Sequence, residues 1–201
     1  MSFRRCNIIH QVLALIARAR PRHIVAPHIL ASFEWEGCSV LVLEPVRARA
    51  RSDRPVREPE LAALVEIASL GRDLAPAVGA GTTGIPLHGD FCAWNSAPVA
   101  ADVLALWDWE EAGFGLPLED LFHWRMQRLV HFGRGTVEAL VRGALEPDAQ
   151  VRELCRALAV EADVAPGALE ACLRRGLARA GQDERACRLR RDALALLGSA
   201  T

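Results

Sequence analysis

The order of apolar patterns along the chain predicts an α+β fold, and three observations carry that prediction. Residues 28–46, HILASFEWEGCSVLVLEPV, place two apolar runs on either side of Glu36-Gly37, the pattern of a β-hairpin. A second, shorter hairpin is expected across 97–108, where Val103, Leu104, Leu106 and Trp107 lead into Asp108. From about Leu118 onward the spacing is helical, with helices expected over 118–132, 136–146, 148–162, 166–180 and 182–197. Gly133, Gly135, Pro147 and Pro166 punctuate them. Strands come first and helices last, so the elements do not alternate as βαβ units would.

The remaining elements follow in order. Residues 7–19 read as a helix with Ile8, Ile9, Val12, Leu13 and Ile16 on one face. Residues 47–57, RARARSDRPVR, carry five arginines and a proline and read as a solvated linker. EPELAALVEIASLG, 58–71, reads as a helix, with Pro59 in its first turn, Gly71 at its end and Leu61, Leu64, Val65 and Ala68 as its buried stripe. A loop rich in Gly and Pro fills 72–87.

Composition narrows the function classes. The chain has 201 residues and a net charge of −1, and no aromatics interleave the Arg-rich segment, so a nucleic-acid partner is not expected. No apolar run is long enough for a membrane span, and no small-residue cleavage site follows Arg4-Arg5 and the apolar stretch behind them. The six cysteines, at 6, 38, 92, 155, 172 and 187, form no C-x-x-C pair. They read as reduced core thiols of a cytoplasmic protein rather than a zinc or redox site. All 24 basic residues are arginine, so any chemistry that needs a lysine must do without one.

Two motifs compete within GAGTTGIPLHGDFCAWN, 79–95. GAGTTG fits G-x-G-x-x-G, but a dinucleotide fingerprint needs a strand before it and a helix opening inside it. Pro76 precedes it and Ile85-Pro86 follows, so it reads as a loop, and a dinucleotide oxidoreductase is a distant third reading. HGDFCAWN offers more. Phosphoryl transfer needs a carboxylate to take the nucleophile's proton and hard oxygen ligands for Mg²⁺. Asp90 and Asn95 lie five apart, and Asp108 ends an apolar strand 18 residues past Asp90. Asp is also common in turns, so spacing alone leaves three turn-forming residues as an equal alternative.

The combined pattern is more specific than its parts. H-G-D-x-x-x-x-N at 88–95, then an apolar strand ending in Asp108-Trp109-Glu110, then Gly115-Leu116-Pro117-Leu118-Glu119-Asp120-Leu121, resembles the aminoglycoside phosphotransferase and choline kinase-like families. The resemblance covers 88–121 closely. It implies a protein-kinase-like fold: a mostly helical C-lobe over 58–201, the linker 47–57, and a partial N-lobe of helix, hairpin and hinge over 1–46. It implies ATP and Mg²⁺ as cofactors and a small-molecule hydroxyl as acceptor. Asp90 would be the catalytic base, and Asn95 and Asp108 the metal ligands. Glu44 and Val46 would meet the nucleotide, and His88, Gly89 and Asp120 would hold the site together. Cys92 is read as incidental, and the four tryptophans near the motif (94, 107, 109 and 124) as core and cleft wall. Glu110 is read equally as an aid to metal binding or as a capping residue.

Such an N-lobe ordinarily takes roughly 70 residues or more at typical element lengths. Here 46 precede the linker, with no Gly-rich strand pair and no lysine strand, and the helix at 7–19 has no Glu. An N-terminally truncated phosphotransferase is therefore expected. A shortened working enzyme with Arg for Lys, and a non-catalytic nucleotide- or partner-binding module, are the alternatives. A hinge hairpin without neighbouring strands would leave an open edge, so oligomerisation through it is expected. The acceptor stays open among aminoglycoside, choline-like, homoserine-like and macrolide-like molecules. Charged residues on the tail helices are read as mostly a solvated face.

Overall fold

The structure is a computed structural model that describes residues 3–46, 53–74, 84–179 and 183–200. Its class is α+β, with small sheets in the first part and helices alone in the last. It divides into two compact units, Met1–Phe114 and Gly115–Thr201.

The first unit opens with α1 (Phe3–Ala19), four residues longer at its start than the sequence predicts. Ile9, Val12, Leu13, Leu15 and Ile16 are buried as an i, i+3/i+4 stripe, and Ile8 is only half-buried. The short strand β1 (Ile24–Val25) follows, then β2 (Ile29–Trp35) and β3 (Cys38–Leu43). These last two form the expected antiparallel hairpin. Glu36 and Gly37 both have positive φ, 48° and 75°, as a two-residue type I′ turn requires.

Helix α2 (Glu58–Ser69) buries Leu61, Ala63, Leu64 and Ile67, so the stripe is one position offset from the expected Val65 and Ala68. Beyond a 3₁₀ turn at Gly71–Leu74 lies the GAGTTG segment, which apart from Gly84 is outside the described residues. Gly84 leads directly into strand β4 (Ile85–Leu87), where a dinucleotide fingerprint would open a helix. Strands β5 (Ser96–Ala100) and β6 (Val103–Leu106) form the second hairpin, in place of the expected 97–108. β1 adds to β6 in parallel, making the order β1-β6-β5. After a 3₁₀ turn at Trp109–Glu111 comes β7 (Gly113–Gly115), the partner of β4. These pairings converge on the loop 88–95, which joins β4 to β5, and on the end of β6.

One expectation for this unit is corrected. Arg54, assigned to a solvated linker, is 6% exposed. Its Nε donates to Glu60 Oε1 at 2.7 Å, and its terminal nitrogens donate to the Ser96 carbonyl at 3.0 Å and the Ser96 hydroxyl at 2.6 Å. Glu60 Oε2 accepts from the Arg57 N–H at 2.8 Å, half of a capping box at the start of α2. Every polar edge of this buried pair is used, and that is why it can be buried at all. Arg47, Arg49 and Arg51 lie outside the described residues.

Among the described residues the second unit holds five α-helices and a 3₁₀ turn at Ala162–Val164: α3 (Glu119–Phe132), α4 (Val137–Leu145), α5 (Ala149–Leu158), α6 (Ala165–Ala178) and α7 (Glu184–Ala200). Each lies within a few residues of its expected span. Thr136 Oγ1 caps α4 by accepting from Ala139 N, and Asp148 caps α5 by accepting from Val151 N. Leu121, Phe122, Trp124, Leu140, Leu169 and Leu173 make the core between α3, α4, α6 and α7. Among the described residues of this unit, Glu119, Asp120 and Arg190 are buried rather than on a solvated face. Glu119 accepts from Arg175 Nε at 3.0 Å, and Arg190 lies over Gly176, where any side chain would meet its guanidinium stem.

Arg54→Ala should lower stability by about 3–5 kcal/mol, because it strands the Glu60 carboxylate without its partner. The double change Arg54→Met with Glu60→Leu should recover most of that loss. Urea unfolding followed by far-UV circular dichroism measures both.

Candidate active site

His88 is fully buried and makes two hydrogen bonds of opposite sense. The Asp90 backbone N–H can only donate, so at 3.3 Å it assigns His88 Nδ1 as the acceptor. Nε2 then carries the proton and donates to the Trp107 carbonyl at 3.0 Å. The ring lies 4.3 Å from the Trp109 ring and meets the Phe91 ring edge-on. One imidazole thus joins the amide of Asp90 to the carbonyl that precedes Asp108. A second connection runs beside it: Trp107 N donates to the Asn95 carbonyl at 3.1 Å.

Gly89 has φ +82°, and a Cβ built there would stand 1.9 Å from the carbonyl oxygen of Glu111. Both the conformation and the missing side chain are therefore required. The loop and the turn after Asp108 approach backbone to backbone at this point.

Asn95 is 4% exposed. Its Nδ2 donates to Asp90 Oδ2 at 2.8 Å and to the Asp90 carbonyl at 3.1 Å. Only the amide NH₂ can serve two acceptors in this way, so Oδ1 is the atom directed away from Asp90. Asp108 sits in the left-handed region, φ 63° and ψ 56°, with its side chain exposed. That conformation is uncommon for any residue but Gly and tolerated best by Asn and Asp. Cys92, two residues past Asp90, is 1% exposed. Burial first, then the charge of Asp90 and more weakly that of Asp108, pushes its thiol well above the usual range. Cys92 is a neutral core thiol, as the sequence reading has it, and it registers both carboxylates. The Ser96 hydroxyl, itself held by Arg54, donates to the Cys92 carbonyl at 2.8 Å and closes the loop from below.

His88, Gly89, Asp90, Asn95 and Asp108 are therefore brought together in the first unit. Glu44 and Val46 lie past the end of β3, where Glu44 is exposed and its N–H donates to the His28 carbonyl at 2.8 Å. Asp120 is buried in the first turn of α3, in the second unit. Arg54, Glu60 and Ser96 were missed as supports of the loop. A Glu three residues after Arg57 is the capping-box signal that was available in the sequence.

Among the described residues no group of three His, Cys, Asp or Glu side chains forms a metal cage. Mg²⁺ seldom uses such cages; one or two carboxylates suffice, with water and phosphate oxygens completing the shell. The Asp108 carboxylate and the Asn95 amide oxygen are hard donors of that kind. No family model, curated protein or solved structure matches the chain. Among the described residues no helix is long and apolar enough to cross a membrane.

Two substitutions should move stability in opposite directions. Gly89→Ala should cost about 3 kcal/mol, from the left-handed backbone and the Glu111 collision together. Asp108→Gly should raise stability by about 1 kcal/mol by relieving the strained φ. Urea midpoints at constant m-value report both.

Proposed function

We propose that the chain is related to the aminoglycoside phosphotransferase and choline kinase-like families and acts as an ATP- and Mg²⁺-dependent phosphotransferase on a small-molecule hydroxyl. The observation that supports this best is the convergence of Asp90, Asn95 and Asp108 through His88 and Gly89. Five residues from separate parts of one motif pattern lie on the loop 88–95 and at the end of β6, which hydrogen bonds of His88 and Trp107 join.

In this reading Asp90 accepts the proton of the acceptor hydroxyl through a carboxylate whose orientation Asn95 Nδ2 sets. Asn95 Oδ1 and the Asp108 carboxylate would hold Mg²⁺, whose charge, when bound, offsets that of the phosphates. His88 takes no proton in this scheme; its two ring nitrogens are committed to the Asp90 amide and the Trp107 carbonyl. The Glu44 carbonyl and Val46 N–H would meet adenine, in a protein-kinase-like arrangement of hinge and C-lobe. A cytoplasmic location belongs to the same reading.

A second reading is a non-catalytic nucleotide- or partner-binding module. It is favoured by the absence of any lysine and by α1 having no acidic residue, so the usual Lys–Glu phosphate clamp cannot form. Product formation separates the two readings.

Asp90→Asn should abolish phosphate transfer and leave nucleotide binding intact, while Asp108→Ala should remove Mg²⁺-dependent binding. The assay is a phosphate-transfer screen over amine- and hydroxyl-bearing acceptors, with a thermal melt beside it. At about 100 times Kd, Mg²⁺·ATP adds about 2.7 kcal/mol, which for this size raises Tm by about 5–10 °C. An Mg²⁺-dependent shift without product would favour the binding module. No shift in a chain that melts cooperatively would remove both nucleotide readings.

A further inference from the structure

The hairpin β2–β3 is apolar on the face it leaves exposed. The cross-strand pairs Ala31–Val42, Phe33–Val40 and Trp35–Cys38 share one face, and none of the six carries a charge. Phe33 is 45% exposed, Trp35 61% and Val42 38%. The opposite face holds Ser32–Leu41 and Glu34–Ser39, and there the β3 residues are half-buried. Strand β2 is exposed from Leu30 through Trp35, and among the described residues it pairs with β3 alone. A two-stranded sheet of this kind is marginal in water by itself.

We propose that β2 is a self-association edge, pairing antiparallel with β2 of a second copy about a two-fold axis at Ser32. The hairpin's own register dictates the centre. With a two-residue turn closed by Trp35–Cys38, the N–H and C=O groups of Trp35, Phe33 and Ala31 face β3, and those of Ser32 and Glu34 face outward. Centring on Ser32 brings those outward groups together. It sets Phe33 opposite Ala31 of the partner copy on the apolar face, and Glu34 opposite Leu30, so no like charges meet. The product is a four-stranded sheet, β3-β2-β2-β3, with one continuous uncharged face. An isologous interface needs such self-complementarity, and this edge has it. Two seven-residue strands cover about 24 Å of edge. That is a smaller contact than the roughly 800 Å² per copy of a standard stable interface. The dimer is accordingly a weak one that forms with rising concentration. This inference does not rest on the phosphotransfer reading.

Sedimentation velocity of the purified chain from about 2 to 200 μM tests it. The expected result is a rise from monomer toward dimer that Ser32→Pro abolishes without changing far-UV circular dichroism. Proline removes an outward N–H that the β2–β3 ladder does not use. If that variant misfolds, Ser32→Lys, a charged edge, replaces it. In a Cys38→Ser background, S32C should crosslink to its own copy under mild oxidation, because paired strands hold those positions within disulfide reach. E36C, at the turn, should not. A parent that stays monomeric throughout would overturn the proposal. So would a dimer insensitive to both Ser32 changes, or equal crosslinking at the two thiols.

Discussion

The site depends on one buried imidazole that hydrogen-bonds two particular backbone groups. His88 is out of reach of water, so each ring nitrogen left without a partner would cost about 1–3 kcal/mol. Its Nδ1 takes the Asp90 amide and its Nε2 takes the Trp107 carbonyl. The two carboxylates of interest sit on Asp90 itself and on the residue after Trp107. The backbone positions of both are thus tied through one buried side chain. Gly89 completes the constraint, since only a residue without a side chain lets the loop reach the Glu111 carbonyl.

Costs are concentrated around this point. Asp108 holds a left-handed backbone, Gly89 gives up a side chain, and Arg54 and Glu60 are charges removed from water. Each is held in place by apolar packing nearby: Trp109, Phe91, Leu104 and Leu106 are all essentially inaccessible. Strain of this sort persists where the surroundings over-determine it, and it gathers at sites where geometry matters more than stability. The exposed Asp108, held in a left-handed backbone, fits that description.

The two units use opposite means of reaching stability. The helices from Glu119 onward bury mostly apolar stripes, with caps at Thr136 and Asp148. The hairpin β2–β3 has alternating strands and Gly37 in its turn, yet Leu30, Phe33, Trp35 and Val42 stay exposed. Local rules suffice to form a hairpin there, but they do not cover it.

Much was legible in the chain because the signals were local. Helix spans from 119 on follow from apolar periodicity and from Gly and Pro between the helices. The place of the turn follows from the two apolar runs around Glu36-Gly37, with Gly37 free to take a positive φ. The candidate residues Asp90, Asn95 and Asp108 were legible from spacing and resemblance. Periodicity and turn chemistry act over a few residues, so a sequence displays them. Tertiary structure alone decided the rest. It buried Arg54 and gave it Glu60 and Ser96 as partners. It put β1 in parallel beside β6, it assigned the tautomer of His88, and it set Gly89 against Glu111. Each of these joins groups distant along the chain, and whether a charge is solvated or paired depends on what folding brings beside it. No spacing within the chain encodes that neighbour.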